Sequence, residues 1–213
     1  MNFYTHPQLL FSVEVSRKMK KVLVVNSSLR LAESHSRQLV EKIVGRIEKQ
    51  LPAVAVTERD VAQFPIPHFG ADTYQGFAGE QNHLAREAEA LSTQLIEEVK
   101  ANDILVIGAP VYNFMIPSTL KSWIDYITRA GVTFNYTEQG PQGYLTGKKV
   151  VVVLASGGGQ VDAIEQQLAM VLSMVGLTDV TFIHAAGLDM PDSGGSLDKI
   201  HSKIEQLSLS DAA

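Results

Sequence analysis

Val22-Leu23-Val24-Val25 runs directly into Asn26-Ser27-Ser28-Leu29-Arg30-Leu31-Ala32-Glu33-Ser34-His35-Ser36, and the change of character at Asn26 decides how the chain folds. An unbroken branched apolar run is what a parallel strand covered on both faces requires. Beyond the polar loop, Leu39, Val40, Ile43, Val44 and Ile47 recur at helical spacing, with Ser36 a suitable N-cap. The unit is therefore strand, polar loop, amphipathic helix.

The same unit repeats downstream. The first helix ends near Pro52, and Val54 to Val56 reads as a second strand. A loop with Pro65-Ile66-Pro67 follows, then a long helix with Leu84, Leu91, Leu95, Ile96 and Val99 on one face. Ile104 to Ile107 is the third strand. Pro117 fits the first turn of a helix that runs through Leu120, Trp123, Ile124 and Ile127 to a stop at Gly131. A Gly-rich stretch, Gly140 to Gly147, leads to the fourth strand, Val150 to Leu154. Ala163 to Met174 reads as helix, Val180 to Ala185 as the fifth strand, and Leu197 to Leu207 as the closing helix.

Five strands alternating with five helices imply parallel pairing through right-handed crossovers, hence a three-layer α/β sandwich. The strand count favours the flavodoxin-like order 2-1-3-4-5 over a longer Rossmann sheet. Such sheets bind ligands outside the carboxyl ends of the strands, at the switch point between strands one and three. Function is expected in the loops after strands one, three and four.

The chain has 213 residues, 45% of them hydrophobic, which suits one domain with a substantial core. Its net charge of -5 comes from 18 basic and 23 acidic residues without a basic run, so neither nucleic acid nor a membrane surface is an expected partner. The absence of Cys removes disulfides, thiolate nucleophiles and CxxC pairs, and any redox chemistry must come from a bound cofactor. No apolar run approaches the ~18 residues of a membrane span. Residues 1–18 lack the basic start and small-residue cleavage site of a secretory signal, and read as an extension upstream of a start at Met19. The expected organisation is a single cytoplasmic domain over residues 19–213.

The first loop is rich in hydroxyls and enters a helix N-terminus, where Ser28, Ser34, His35 and Ser36 can hold a phosphate; ordinary capping and turn formation use the same residues. It lacks GxxxxGK[ST] and GxGxxG, which argues against nucleotide hydrolysis and a conventional NAD fold. The loop after strand three concentrates Pro110, Val111, Tyr112, Asn113, Phe114 and Pro117, a stiff aromatic surface for a flat ring, or a turn whose aromatics fill the core. After strand four, Ser156-Gly157-Gly158-Gly159 lets backbone approach a ligand, or serves as a flexible connection. Their joint placement beyond adjacent strand ends favours one shared site.

Ala109 to Phe114, Ile116-Pro117 and Ala130-Gly131-Val132-Thr133-Phe134-Asn135-Tyr136-Thr137-Glu138-Gln139-Gly140-Pro141 closely resemble the FMN-dependent NADH:quinone oxidoreductase and azoreductase family. The match extends in element order from about Met19 to Leu207. The resemblance implies a homodimer holding one FMN per subunit, with NADH or NADPH as donor and a quinone or azo compound as acceptor in a ping-pong, two-electron hydride transfer. It implies that Ser28 and Ser34-His35-Ser36 hold the phosphate, that Val111 to Phe114 lie along the isoalloxazine, that Ser156 to Gly159 meet its pyrimidine edge, and that Tyr136 approaches the substrate pocket. The chain departs from the pattern in Val111 for a common Met, His35 for a common Gln and Gly157 for a frequent Arg, and the segment after Gly159 is short.

The six histidines show neither HxxxH nor HxH spacing, so no metal site is expected. Ser156 lacks a GxSxG context, which argues against hydrolysis. No catalytic acid or base is assigned, because a flavin carries this chemistry itself. The rival reading is a non-enzymatic flavodoxin-type electron carrier, which would expose its flavin to protein partners.

Overall fold

In the computed structural model, which describes residues 19–51, 53–80, 82–158, 161–188 and 194–208, the decisive apolar run forms β1 (Lys20–Asn26), buried from Val22 onward. It is followed by α1 (His35–Gln50), β2 (Val54–Asp60), α2 (Ala71–Phe77), α3 (His83–Ala101) and β3 (Ile104–Pro110). Then come α4 (Ser118–Ile127), β4 (Phe134–Thr137), β5 (Gly140–Gly143), β6 (Lys149–Ser156), α5 (Asp162–Met174), β7 (Asp179–Ala186) and α6 (Gly194–Glu205). The main sheet is parallel, in the order β2-β1-β3-β6-β7.

Alternate residues of each strand serve opposite layers. Leu23 and Val25 of β1 pack with α3, α4 and α5, whereas Val22 and Val24 pack with α1 and α6. All seven residues of β3 are buried, which is why its sequence is apolar throughout. β2 lies at the sheet edge and runs past the expected end at Val56 to Asp60; the charged Glu58 and Arg59, tolerated at an edge, interrupt the apolar pattern on which that expectation rests. No helix among the described residues is long and apolar enough to cross a membrane.

Two expectations are corrected. The five-strand count omits an antiparallel pair, β4 and β5, so the sheet order in chain numbering is 2-1-3-6-7 rather than 2-1-3-4-5. The helix count omits α2, which lies in the segment read as a loop. Helix ends also shift: Ser34, not Ser36, caps α1, and α4 follows Pro117 and stops at Ile127, short of Gly131. Residues 1–18 and Gly159, for which expectations were stated, lie outside the described residues.

The β4–β5 hairpin is clamped at its base. Thr133 Oγ1 donates to the Ile127 carbonyl at 2.8 Å, and its own carbonyl accepts from the Tyr144 amide at 2.9 Å. The preceding Arg129 is buried, donates to Ser92 and Thr93 of α3 and lies 5.6 Å over the Phe77 ring. Burial pushes its pKa down, opposed by the charge of Glu89. Behind the hairpin, Gly143 meets the turn after α5, where Gly176 has φ +98; a Cβ on Gly143 would fall 2.0 Å from the Gly176 nitrogen.

At the carboxyl edge, Arg37 of α1 grips Asp60 through two contacts of 2.7 and 3.0 Å. Burial pushes the Asp60 carboxyl up, but hydrogen bonds from Arg37 and Gln63, with the Arg37 charge, outweigh this and bring it from 3.8 to about 2.

Gly143→Ala is expected to cost about 1–3 kcal/mol in urea unfolding, because backbone atoms must move. Gly45→Ala, in open space on α1, should be neutral or stabilising by up to about 1 kcal/mol; equal losses for both would refute the close-approach account. The Asp60 pKa is lower in the folded state, so its contribution, on the order of 2 kcal/mol, is present above its unfolded pKa. It is lost as pH falls from about 3.8 toward 2. Unfolding of wild type and Asp60→Asn across that range should show their stability gap narrowing with acid.

Candidate functional site

The ladder places the carboxyl ends of β1, β3 and β6 side by side, with Asn26 opposite Gly108 and Pro110 opposite Ala155. Their loops, with Ala185 and Leu188 from the β7 end, enclose a cavity of about 170 Å³. Of the residues expected from the sequence, Ser28, Ser34, His35, Ser36, Val111, Tyr112, Ser156 and Gly157 line it.

The first loop turns through a short 3-10 segment, Leu31–Glu33, and enters α1. Ser34 Oγ accepts the Arg37 amide at 3.3 Å and lies 3.0 Å from Ser36 Oγ. Ser28, Ser34 and Ser36 are all buried. The first two residues of a 16-residue helix, His35 and Ser36, thus line the cavity with the Ser34 cap, at the end where the helix dipole favours negative charge. Ser34 caps the helix and lines the cavity at the same time.

The second loop begins at Val111, because Ala109 and Pro110 complete β3. The Val111 amide extends the ladder to the Ala155 carbonyl at 2.7 Å. Tyr112 and Met115 then exchange backbone hydrogen bonds of 2.9 and 3.0 Å around Asn113 (φ 50) and Phe114 (φ 63). Positive φ at both central residues is what a type I′ turn requires, and side-chain-bearing residues hold it at a cost in strain. Phe114 is 86% exposed, so it does not fill the core. The Tyr112 hydroxyl lies 3.1 Å from Ser28 Oγ and accepts the Leu29 amide at 3.1 Å. Its polar tip joins the first loop to the second, a role the sequence reading did not foresee.

The third element starts inside the sheet: Ser156 is the last residue of β6, not a loop residue. Its Oγ is buried at the cavity wall and has no hydrogen-bond partner among the described residues. Gly157 lines the cavity, while Gly158 is exposed and, like Asn113 and Phe114, stands outside its lining. Tyr136 is 74% exposed on the hairpin, edge-on to Phe134 at 5.3 Å, and also outside.

Sequence reading missed Arg37 and Asp60, which brace the first loop, and a second, apolar groove of about 450 Å³ between α4 and α5. Met115, Ile116, Ile124, Ile164 and Leu168 are among the residues that line the groove. Nothing local in the sequence marks the pairing of Arg37 with Asp60, 23 residues away.

A family model described as flavodoxin-like fold matches residues 20–207. The chain is 45% identical over 179 residues to FMN-dependent NADH:quinone oxidoreductase 2 of Pseudomonas putida, covering 81% of this chain and 90% of that one. It is 44% identical, over the same shares, to FMN-dependent NADH:quinone oxidoreductase of Azotobacter vinelandii. Among solved structures it is similar to an azoreductase from Bacillus anthracis, with TM-score 0.78 and 27% identity, covering 89% of this chain and 100% of that one. On this evidence the chain belongs to the flavodoxin-like family and, within it, to the FMN-dependent NADH:quinone oxidoreductases and azoreductases.

Proposed function

We propose that this protein is a cytoplasmic FMN-dependent NADH:quinone oxidoreductase that also reduces azo compounds, and that residues 19–213 act as one unit. The observation that carries the assignment of roles is the convergence on one cavity of a serine-lined helix N-terminus and the Ser156 hydroxyl, which has no partner among the described residues. The first suits a phosphate and the second a polar ring edge, so the residues present fit FMN.

FMN held there would supply the two-electron chemistry, a hydride transfer from NADH or NADPH to the acceptor. The protein binds and orients. Ser28, Ser34, His35 and Ser36 would hold the phosphate, Val111 and Tyr112 would flank the ring with Asn113 and Phe114 on the adjoining turn, and Ser156 Oγ with the backbone of Gly157 and Gly158 would meet its polar edge. Exposed Phe114 and Tyr136 offer aromatic surface to a planar acceptor. A homodimer is part of this reading, and the groove between α4 and α5, lined by Ile124, Ile164 and Leu168 beside Lys121 and Asp125, is a surface offered to a second copy.

The protein as isolated should be yellow, bleach on anaerobic addition of NADH without any reductase partner, and recolour with quinone. A holoprotein that neither NADH nor NADPH can bleach overturns the assignment in favour of an electron carrier. Rates with NADH and NADPH against a quinone and azo panel should give the parallel double-reciprocal lines of a ping-pong scheme. Replacing both Ser34 and Ser36 by Ala should weaken FMN binding about tenfold or more, read by flavin fluorescence on the apoprotein.

A further inference from the structure

The first loop has almost no apolar hold. Leu29 and Leu31 are exposed, Leu31 sits at φ 47, and no residue of the 3-10 segment is buried. Polar contacts must therefore fix the loop, and several meet at Ser28. On the cavity side its hydroxyl lies 3.1 Å from the Tyr112 hydroxyl. On the far side its carbonyl accepts Arg37 Nη2 at 3.0 Å. The same guanidinium is held by Asp60, whose carboxylate also accepts the Ala62 and Gln63 amides and the Gln63 side chain at 2.8–3.0 Å. The Arg37 amide is in turn the donor that Ser34 caps. Arg37 thus touches both ends of the hydroxyl-bearing loop, yet neither it nor Asp60 lines the cavity.

We propose that Arg37 and Asp60 are positioning residues that hold the Ser28–Ser36 loop in its phosphate-receiving form, so that preference for a phosphorylated flavin over the unphosphorylated one is set from behind the cavity. The inference rests on the assignment of that loop to the FMN phosphate. Asp60 neutralises Arg37 at close range, so the pair acts through geometry rather than as an added positive charge. The planar fork of Arg37 bonds Asp60 and the Ser28 carbonyl together; a Lys ammonium keeps the charge but lacks the fork.

The test titrates apoprotein of wild type, Arg37→Met, Arg37→Lys and Asp60→Asn with FMN and with riboflavin, following flavin fluorescence, with thermal unfolding measured in parallel. Wild type should prefer FMN. Arg37→Met should lose about tenfold or more in FMN affinity while riboflavin affinity stays within about twofold, and Arg37→Lys should restore little of the preference. Asp60→Asn should shift it in the same direction, since Arg37 loses its anchor. Equal loss of both flavins in Arg37→Met and Asp60→Asn overturns the proposal, because a purely structural role does not discriminate. Full preference in Arg37→Lys, or tighter FMN binding in Asp60→Asn, also overturns it, because charge would then be the operative property. A discriminating wild type with unchanged Arg37→Met refutes the proposal alone; a wild type that does not discriminate refutes the phosphate assignment and the proposal with it.

Discussion

Three strands at the centre of this molecule, β1, β3 and β6, are sealed on both faces, and the rest of the architecture follows from keeping them dry. A strand with water on neither side needs helices above and below, which obliges each connection to cross the sheet and return in the same direction. Repeated crossing gathers the outgoing loops at one edge. α1 with α6 covers one face and α3, α4 and α5 the other, and the cavity opens where layers and strand ends meet. The site is a by-product of burial that side chains have then specialised.

That specialisation is polar. The loops around the cavity carry few buried apolar residues, so each is tied by hydrogen bonds to a different element: Ser28 to Arg37 and Tyr112, Val111 to Ala155, and Gly187 to the Ser156 carbonyl. Such fastenings are directional and hold donors where a packed surface would leave only shape. Tyr112 shows the economy of the arrangement, since one phenol both lines the cavity and joins two loops. The arrangement suits a family in which the cofactor performs the chemistry and the protein supplies position.

The sheet's core strands were legible because continuous burial writes itself as Val-Leu-Val-Val or Val-Val-Val-Val-Leu, and the site's loops because they follow those runs. The hairpin was not: Gly140, Pro141 and Gly143 read as breakers, although an isolated two-stranded ribbon tolerates what a central strand forbids. α2 was hidden by its seven-residue length and its Gly, Thr and Tyr content. Ser36 fits the N-cap rule by residue type, but the backbone at φ -81, ψ 119 places the cap at Ser34. The bracing of Ser28 by Arg37 and Asp60 joins residues far apart in the chain, and no local pattern encodes it.

The contact between Gly143 and Gly176 makes α5 a strut. One end of this helix receives the chain from the glycines after Ser156, and the other is pressed against the base of the hairpin that carries Tyr136. Thirteen helical residues span about 20 Å with little compliance. The distance from Asp162 to the base of the hairpin is therefore a molecular length, fixed by the number of helical turns between them.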